Sequence, residues 1–126
     1  MRPVQTRPRV LVVDDDHEVL IAFERFLRTM PVDVRTARSG LEALQVLERE
    51  PIAVLVTDQV MPGISGEDLL LVVARRWPET RRILVTGYWV PQLSGDAAAH
   101  ITLQKPVSER TLRLQVEWEL RRGSQE

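Results

Sequence analysis

The chain has 126 residues, 44% of them hydrophobic, and a formal net charge of −1 at pH 7, which fits one domain with a single core and gives no sign of a nucleic-acid-binding surface. It has no cysteine, which excludes disulfides and thiolate metal sites and agrees with a reducing cytoplasm. Because no apolar run approaches the ~20 residues of a membrane span, we expect a soluble cytoplasmic domain without direct contact to membranes or nucleic acid.

The first half of the chain predicts two strand–helix pairs. Residues 9–13, RVLVV, form a continuous β-branched run typical of a parallel strand buried on both faces. Apolar residues then recur at helical spacing over about residues 16–29. Residues 32–37, VDVRTA, alternate and suit an edge strand, and Ser39 with Glu42 has the spacing of a capping box at the start of a second helix.

The next stretch repeats this alternation. Residues 52–57, IAVLVT, predict a second buried strand. Ser65 with Asp68 opens a third helix, which Pro78 ends because proline cannot continue it. Residues 82–86, RILVT, predict a third buried strand.

The segment 87–104 is less regular. It contains Pro91 and Gly95 and has no sustained apolar period, so we expect the fourth helix to be short, distorted or absent. Residues 100–104, HITLQ, are half polar and suit the second edge strand.

The last predicted helix begins at Ser108 and has two sides of different character. One side is a stripe that should pack on the sheet: Leu112, Val116 and Leu120. Leu114 and Trp118 lie on nearly the opposite side. Either they are exposed and anchor a protein partner, because aromatic residues dominate interface hot spots, or the segment 87–104 folds over them.

Alternating strands and helices predict a doubly wound α/β domain: a five-stranded parallel sheet with helices on both faces. Ligands of such sheets bind outside the carboxyl ends of the strands. Four strand ends carry polar residues there: Asp14, Asp15 and Asp16 after the first, Asp58 after the third, Thr86 after the fourth and Lys105 after the fifth. Singly, each has an ordinary explanation as a helix cap, a turn residue or a solvated side chain. Their joint position at one rim favours a site.

The composition of this rim predicts a cation. Two carboxylates ~4 Å apart repel by about 4 kcal/mol at an effective dielectric of ~20, so converging carboxylates must bind a cation or take up protons. The ligands are oxygens, which favours Mg²⁺ with open positions that phosphate oxygens can fill. Asp58 is then the candidate nucleophile, Thr86 a hydrogen-bond donor and Lys105 a counter-charge for phosphate. Lys105 is the only lysine among 17 basic residues, which suits a site that needs a compact ammonium.

Over residues 8–122 the chain resembles the receiver domains of bacterial response regulators, the CheY-like family. The matching motifs are VLVVDDD, VLVTDQVMPGISG, ILVTG and QKP. The resemblance implies strand order 2-1-3-4-5 and Mg²⁺ bound by Asp14, Asp15, Asp58 and the Val60 carbonyl. It implies that Asp58 accepts a phosphoryl group that Thr86 and Lys105 contact, and that the Lys105–Pro106 bond is cis.

Two features depart from the family pattern. The family's switch aromatic stands three residues before the lysine, where this chain has Thr102. Tyr88 is an aromatic residue at a different position and is either part of a relay or an ordinary surface tyrosine. The segment between Thr86 and Lys105 is also shorter than is usual in the family, which predicts an unusual output.

The sequence supports one leading function and two alternatives. The leading hypothesis is a cytoplasmic bacterial phosphoacceptor, not an enzyme acting on other substrates. It would be phosphorylated by a sensor histidine kinase or a phosphotransfer protein and would signal by protein contact, with homodimerisation possible. The alternatives are a Mg²⁺-dependent phosphohydrolase, with Asp16 as the nearest second acid or base, and a degenerate receiver that only binds partners.

The expected domain is 8–122, with flexible termini at 1–7 and 123–126. A DNA-binding output domain does not fit into 126 residues. The sequence therefore leaves open whether this is a single-domain regulator or a receiver from a longer protein.

Overall fold

The computed structural model describes residues 7–87 and 98–124. The strands are β1 (Arg9–Val13), β2 (Asp33–Ala37), β3 (Val54–Asp58), β4 (Arg81–Thr86) and β5 (Ile101–Gln104). The helices are α1 (His17–Leu27), α2 (Gly40–Arg49), α3 (Gly66–Arg76) and α4 (Glu109–Ser124). All five predicted strands are confirmed, as are the four helices predicted outside residues 87–104.

The five strands form one parallel sheet in the order β2-β1-β3-β4-β5. This confirms the doubly wound fold. All five residues of β3 are buried, whereas β2 and β5 carry exposed or half-buried residues along their length. The alternating runs therefore lie at the edges and the continuous runs inside, as two-sided burial requires.

Helix starts follow local capping chemistry. Asp16 caps α1 by accepting a hydrogen bond from the backbone N–H of Glu18 (2.9 Å). Ser39 and Ser65 cap α2 and α3 in the same way, each accepting from the N–H three residues later at 3.1 Å. The capping residues predicted from the sequence thus set where these three helices begin.

The sheet separates two apolar cores. On one side, β-strand residues pack with α1 and α4: Val10, Val12, Val54, Val56, Ile83 and Val85 against Leu20, Phe23, Leu27, Leu112 and Val116. On the other side, the alternate strand residues pack with α2 and α3: Leu11, Val13, Leu55 and Leu84 against Ala43, Leu47, Leu69, Leu70 and Val73. Helices therefore cover both faces of the sheet, and the carboxyl ends of its strands remain available for a functional site.

The last helix contributes both apolar and polar burial. Leu112 and Val116 are fully buried, and the half-buried Leu120 packs against the same core, as the stripe predicted. Glu119 is also buried, and its Oε1 lies 2.8 Å from Nε of Arg81 at the start of β4. No local sequence pattern predicts this ion pair.

Other expectations fall partly outside the described residues. The irregular fourth helix and Tyr88 belong to residues 88–97, which are outside them. Flexible termini were expected at residues 1–7 and 123–126. Helix α4 continues to Ser124, and residues 1–6, 125 and 126 are not among those described. No helix in the described ranges combines the length and apolar character needed to cross a membrane.

Candidate functional site

Three carboxylates meet at the carboxyl edge of the sheet. Asp14 and Asp15 follow β1, and Asp58 is the last residue of β3, the strand next to it. Oxygen atoms of all three lie within 4.8 Å of one another. Asp14 and Asp58 are only 3% and 8% exposed, whereas Asp15 is exposed. The structure thus brings together the three acidic residues singled out from the sequence.

Backbone contacts fix the position of Asp14. Its N–H donates to the carbonyl of Ala37 at the end of β2 (3.1 Å), so the register of the β1–β2 pair continues one residue past the strand. Its Oδ1 accepts a hydrogen bond from the N–H of Asp16 (2.8 Å). The carboxylate is therefore held toward Asp58 and cannot turn freely into solvent.

Lys105 lies between the two buried carboxylates. Its Nζ is 3.1 Å from Oδ1 of Asp58 and 3.3 Å from Oδ2 of Asp14. The peptide bond from Lys105 to Pro106 is cis. The backbone N–H of Lys105 donates to the carbonyl of Thr86 (2.8 Å), which ties the end of β5 to the end of β4.

Burial and neighbouring groups both shift the pKa values of Asp14 and Lys105. Burial raises the pKa of Asp14 above its ordinary value of 3.8, and the charge of Asp58 raises it further, although hydrogen bonds from Asp16 and Lys105 oppose the shift. Burial alone lowers the pKa of Lys105, but the hydrogen bond to Asp58 and the two negative charges outweigh it, so its pKa is raised. The raised pKa of Lys105 keeps its ammonium charged, and burial together with the Asp58 charge disfavours the ionised form of Asp14.

Thr86 and Val60 lie on the neighbouring chain segments. In the sheet Asp58 pairs with Val85, so Thr86 is one residue beyond that pairing, and it is 3% exposed. Val60 lies between β3 and α3 and is 62% exposed. Both therefore belong to segments that border the carboxylates.

Sequence reasoning missed two residues that position Asp58. The N–H of Gly66 donates to the carbonyl of Gln59 (2.9 Å), and a Cβ on Gly66 would lie 2.0 Å from the carbonyl oxygen of Asp58. The side chain of Gln59 accepts a hydrogen bond from the N–H of Glu67 (2.7 Å). The available signal was a glycine directly after the Ser65 cap, where it weakens a helix unless backbone must approach closely.

Leu114 and Trp118 are away from the strand ends, on the outer side of α4. They are 53% and 54% exposed, and the guanidinium of Arg122 lies 5.8 Å from the centre of the Trp118 ring. This exposure agrees with the first of the two alternatives raised for the pair. The residues that would cover it in the second belong to the 88–97 segment.

The order of these residues along the chain matches a known family. Residues 10–117 match the sequence model described as "Response regulator receiver domain". The chain belongs to this family.

Comparison with individual proteins agrees. The receiver domain is 43% identical over 79 residues to the hydrogenase transcriptional regulatory protein HoxA of Cupriavidus necator, covering 63% of this chain and 16% of HoxA. It is 33% identical over 109 residues to the sensor kinase CckA of Brucella abortus, covering 82% of this chain and 11% of CckA. The chain therefore spans less than a fifth of either relative, since the shares are 16% and 11%.

A solved structure extends the similarity to the fold. The crystal structure of a CheY-like response regulator receiver domain protein from Methanospirillum hungatei superposes with a TM-score of 0.89 and 28% identity. The match covers 94% of this chain and 98% of that one. The receiver domain thus has the complete sheet of its family.

The receiver domain carries a threonine where the resemblance predicted an aromatic switch. Thr102 is exposed on β5, paired with Leu84 of β4. The neighbouring Leu103 is buried in the core beside α1 and α4, so Thr102 lies on the opposite face. In this chain the face of β5 away from α1 and α4 therefore offers a short hydroxyl side chain in place of a ring.

Proposed function

We propose that this receiver domain accepts a phosphoryl group on Asp58 from a histidine kinase or a phosphotransfer protein, and then signals by protein contact. The supporting observation is the cluster of Asp14, Asp15 and Asp58 within 4.8 Å, with the Lys105 ammonium 3.1 Å from the proposed nucleophile. The family to which the chain belongs is a signalling family, and its relatives include both a transcriptional regulatory protein and a sensor kinase.

Asp58 is the nucleophile in this proposal. A carboxylate oxygen forms a bond to the phosphorus of a phosphohistidine, the phosphorus–nitrogen bond breaks, and the released imidazole nitrogen takes up a proton. The carboxylate is suited to this step because the end of β3 holds it in place beside Lys105. Its burial excludes most water from the product, since Asp58 is only 8% exposed.

The residues present fit Mg²⁺. The three aspartates supply only oxygen ligands, which lie within 4.8 Å of one another. Asp14, Asp15, Asp58 and the Val60 carbonyl would hold the ion, leaving positions for water and phosphate oxygens. When bound, Mg²⁺ would neutralise negative charge on the transferring phosphoryl group.

Lys105 and Thr86 complete the proposed site. The ammonium of Lys105 already lies between Asp14 and Asp58, so it can neutralise a phosphoryl oxygen that replaces one of these contacts. The Thr86 hydroxyl can donate a hydrogen bond to another oxygen. Since the Lys105 N–H is bound to the Thr86 carbonyl, a shift of one residue is transmitted to the other.

Two observations favour this proposal over the alternatives. A phosphohydrolase needs a second acid or base, and Asp16, the nearest candidate, uses its carboxylate to cap α1. A degenerate receiver would have lost part of the site, whereas all five key side chains are present in this sequence. We therefore assign no catalytic activity beyond phosphorylation and dephosphorylation of the domain itself.

The test is incubation with Mg²⁺ and a small-molecule phosphodonor, followed by intact mass. The wild type should gain one phosphoryl group and Asp58→Asn should gain none. Asp68→Asn, which changes an exposed carboxylate in the first turn of α3, is the control and should be labelled normally. Equal labelling of Asp58→Asn would contradict the assignment, and rapid multiple turnover would favour the phosphohydrolase.

We also propose that Leu114 and Trp118 form a surface for a protein partner, which is either a second copy of this chain or another protein. The two side chains are exposed and four residues apart on one side of α4. Trp118→Ala should then abolish dimerisation or partner binding in sedimentation experiments while leaving Asp58 labelling intact. Loss of several kcal/mol of stability, typical of core truncations, would instead make Trp118 structural.

A further inference from the structure

Gln59, directly after the proposed phosphoacceptor, makes contacts to two other elements. Its N–H donates to the carbonyl of Val85 in β4 (3.0 Å), and its carbonyl accepts from the N–H of Gly66 (2.9 Å). Its side-chain Oε1 accepts from the N–H of Glu67 (2.7 Å), and this contact is partly buried. Backbone and side chain of one residue therefore connect the end of β3 to β4 and to α3.

These contacts satisfy two of the first three N–H groups of α3. The N–H groups in the first turn of a helix have no partner within the helix. Ser65 supplies the usual cap, accepting from Asp68 at 3.1 Å, and Gln59 supplies the other two acceptors. The start of α3 is thus anchored to the strand that carries Asp58 as well as to its own cap.

The anchored segment is the loop that carries Val60. The loop is closed at its base by Gln59 and Gly66, and Gly66 approaches so closely that a Cβ there would lie 2.9 Å from the Cα of Gln59. Only residues 60–65 connect these two points, so fixing the base restricts where the Val60 carbonyl can point. Outer contacts of this kind orient metal ligands and typically change metal affinity 10- to 100-fold when removed.

We infer that Gln59 is a positioning residue, whose side-chain oxygen holds the β3–α3 loop in the geometry that binds Mg²⁺ beside Asp58. This inference rests on the proposed function. It assigns Gln59 no contact with metal or phosphate, and the effect runs through the Glu67 N–H. The oxygen acceptor is the essential part of the side chain.

Three variants separate this role from simple helix stabilisation. Gln59→Met keeps the length of the side chain but removes the oxygen, and Gln59→Glu keeps an oxygen in the same place. Ser65→Ala is the matched control, because it removes a capping bond from the same helix without touching Gln59. Each variant is compared with the wild type by thermal unfolding, Mg²⁺ titration and the initial rate of Asp58 labelling.

Gln59→Met should raise the Mg²⁺ dissociation constant by about tenfold or more and slow labelling at limiting Mg²⁺, with recovery at saturating Mg²⁺. Ser65→Ala should lower thermal stability by a similar amount yet bind Mg²⁺ normally, and Gln59→Glu should bind at least as tightly as the wild type. Wild-type Mg²⁺ affinity in Gln59→Met, or an equal loss in Ser65→Ala, would overturn the inference alone. Failure of the wild type itself to bind Mg²⁺ or become labelled would overturn the proposed function and this role together.

Discussion

Arg81 and Glu119 form a buried ion pair between the start of β4 and the second half of α4. Nε of Arg81 lies 2.8 Å from Oε1 of Glu119, and the residues are 9% and 3% exposed. Gly123, one turn further along α4, lies beside the stem of Arg81, since a Cβ there would be 3.5 Å from its Cγ. The pair therefore holds α4 to the sheet at the end opposite the carboxylates.

Glu119→Ala should lower the free energy of unfolding by about 3 to 5 kcal/mol, because it removes a carboxylate partner from a buried guanidinium. Glu117→Ala is the matched control, since Glu117 pairs with Arg121 one turn apart on the exposed side of α4. That change should cost less than about 1 kcal/mol. Urea denaturation measures the loss of unfolding free energy in each variant. Equal losses would show that the buried pair contributes no more stability than the exposed one.

Gly66→Ala should disrupt the end of β3, because the added Cβ would meet the carbonyl oxygen of Asp58 at 2.0 Å. Backbone must move to relieve this contact, and we expect a loss of about 1 to 3 kcal/mol or more together with weaker Mg²⁺ binding. Gly87→Ala offers the comparison, since a Cβ there meets no atom of the described residues within 4 Å. If Gly66→Ala were as stable as Gly87→Ala, the close approach of α3 to β3 would be wrong.

Asp14→Asn should stabilise the metal-free protein at neutral pH. The pKa of Asp14 is raised by burial and by Asp58, so the folded state binds this proton more tightly than the unfolded state. The contribution of the group to stability is therefore present below its unfolded pKa and is lost as the pH rises through its raised folded pKa. The advantage of Asp14→Asn should grow from about pH 4 upward and then level off.

Thermal unfolding across pH in chelator-treated buffer checks this expectation. Adding Mg²⁺ should reverse the order of the two proteins, because the ion binds the wild-type carboxylate. A wild type that is more stable than Asp14→Asn at neutral pH without metal would mean that the Lys105 contact outweighs burial.

Lys105→Arg should fold and still accept a phosphoryl group on Asp58, yet respond weakly to it. A guanidinium is planar and forked, so it cannot occupy the point between Asp14 and Asp58 that the ammonium fills at 3.3 and 3.1 Å. Amide chemical shifts on beryllofluoride binding measure the response. Arg113→Lys, the reverse exchange in an exposed ion pair with Glu109, is the control and should respond like the wild type. If charge alone matters at position 105, Lys105→Arg should also respond like the wild type.

The sheet and the acidic site could be predicted because each depends on local sequence. Continuous apolar runs identified the inner strands, and the residues that follow them had to meet at one edge of a parallel sheet. Asp14, Asp58 and Lys105 were therefore expected at the same edge, because each lies at the carboxyl end of a predicted strand. The capping residues Asp16 and Ser39 could also be predicted, because a capping side chain bonds to an N–H only two or three residues later.

Contacts between distant charged residues could not be predicted in this way. Arg81 and Glu119 are 38 positions apart. Each belongs to a charged residue type that usually lies at the protein surface. The role of Gln59 is equally hard to predict, because a glutamine after a strand gives no sign that its side chain will accept a hydrogen bond from a helix N–H eight residues later. These pairings depend on how elements pack in three dimensions, which periodicity does not specify.

The position of β5 at the edge of the sheet predicts different local stability for the two parts of the site. Asp58 ends β3, which is bonded to strands on both sides, and core strands of this kind open at free energies up to that of global unfolding. Lys105 follows a four-residue strand that is bonded on one side only within the described residues, and short edge strands open locally at lower free energy. We therefore expect local openings that separate Lys105 from Asp14 and Asp58 to leave the Asp58 end of β3 in place.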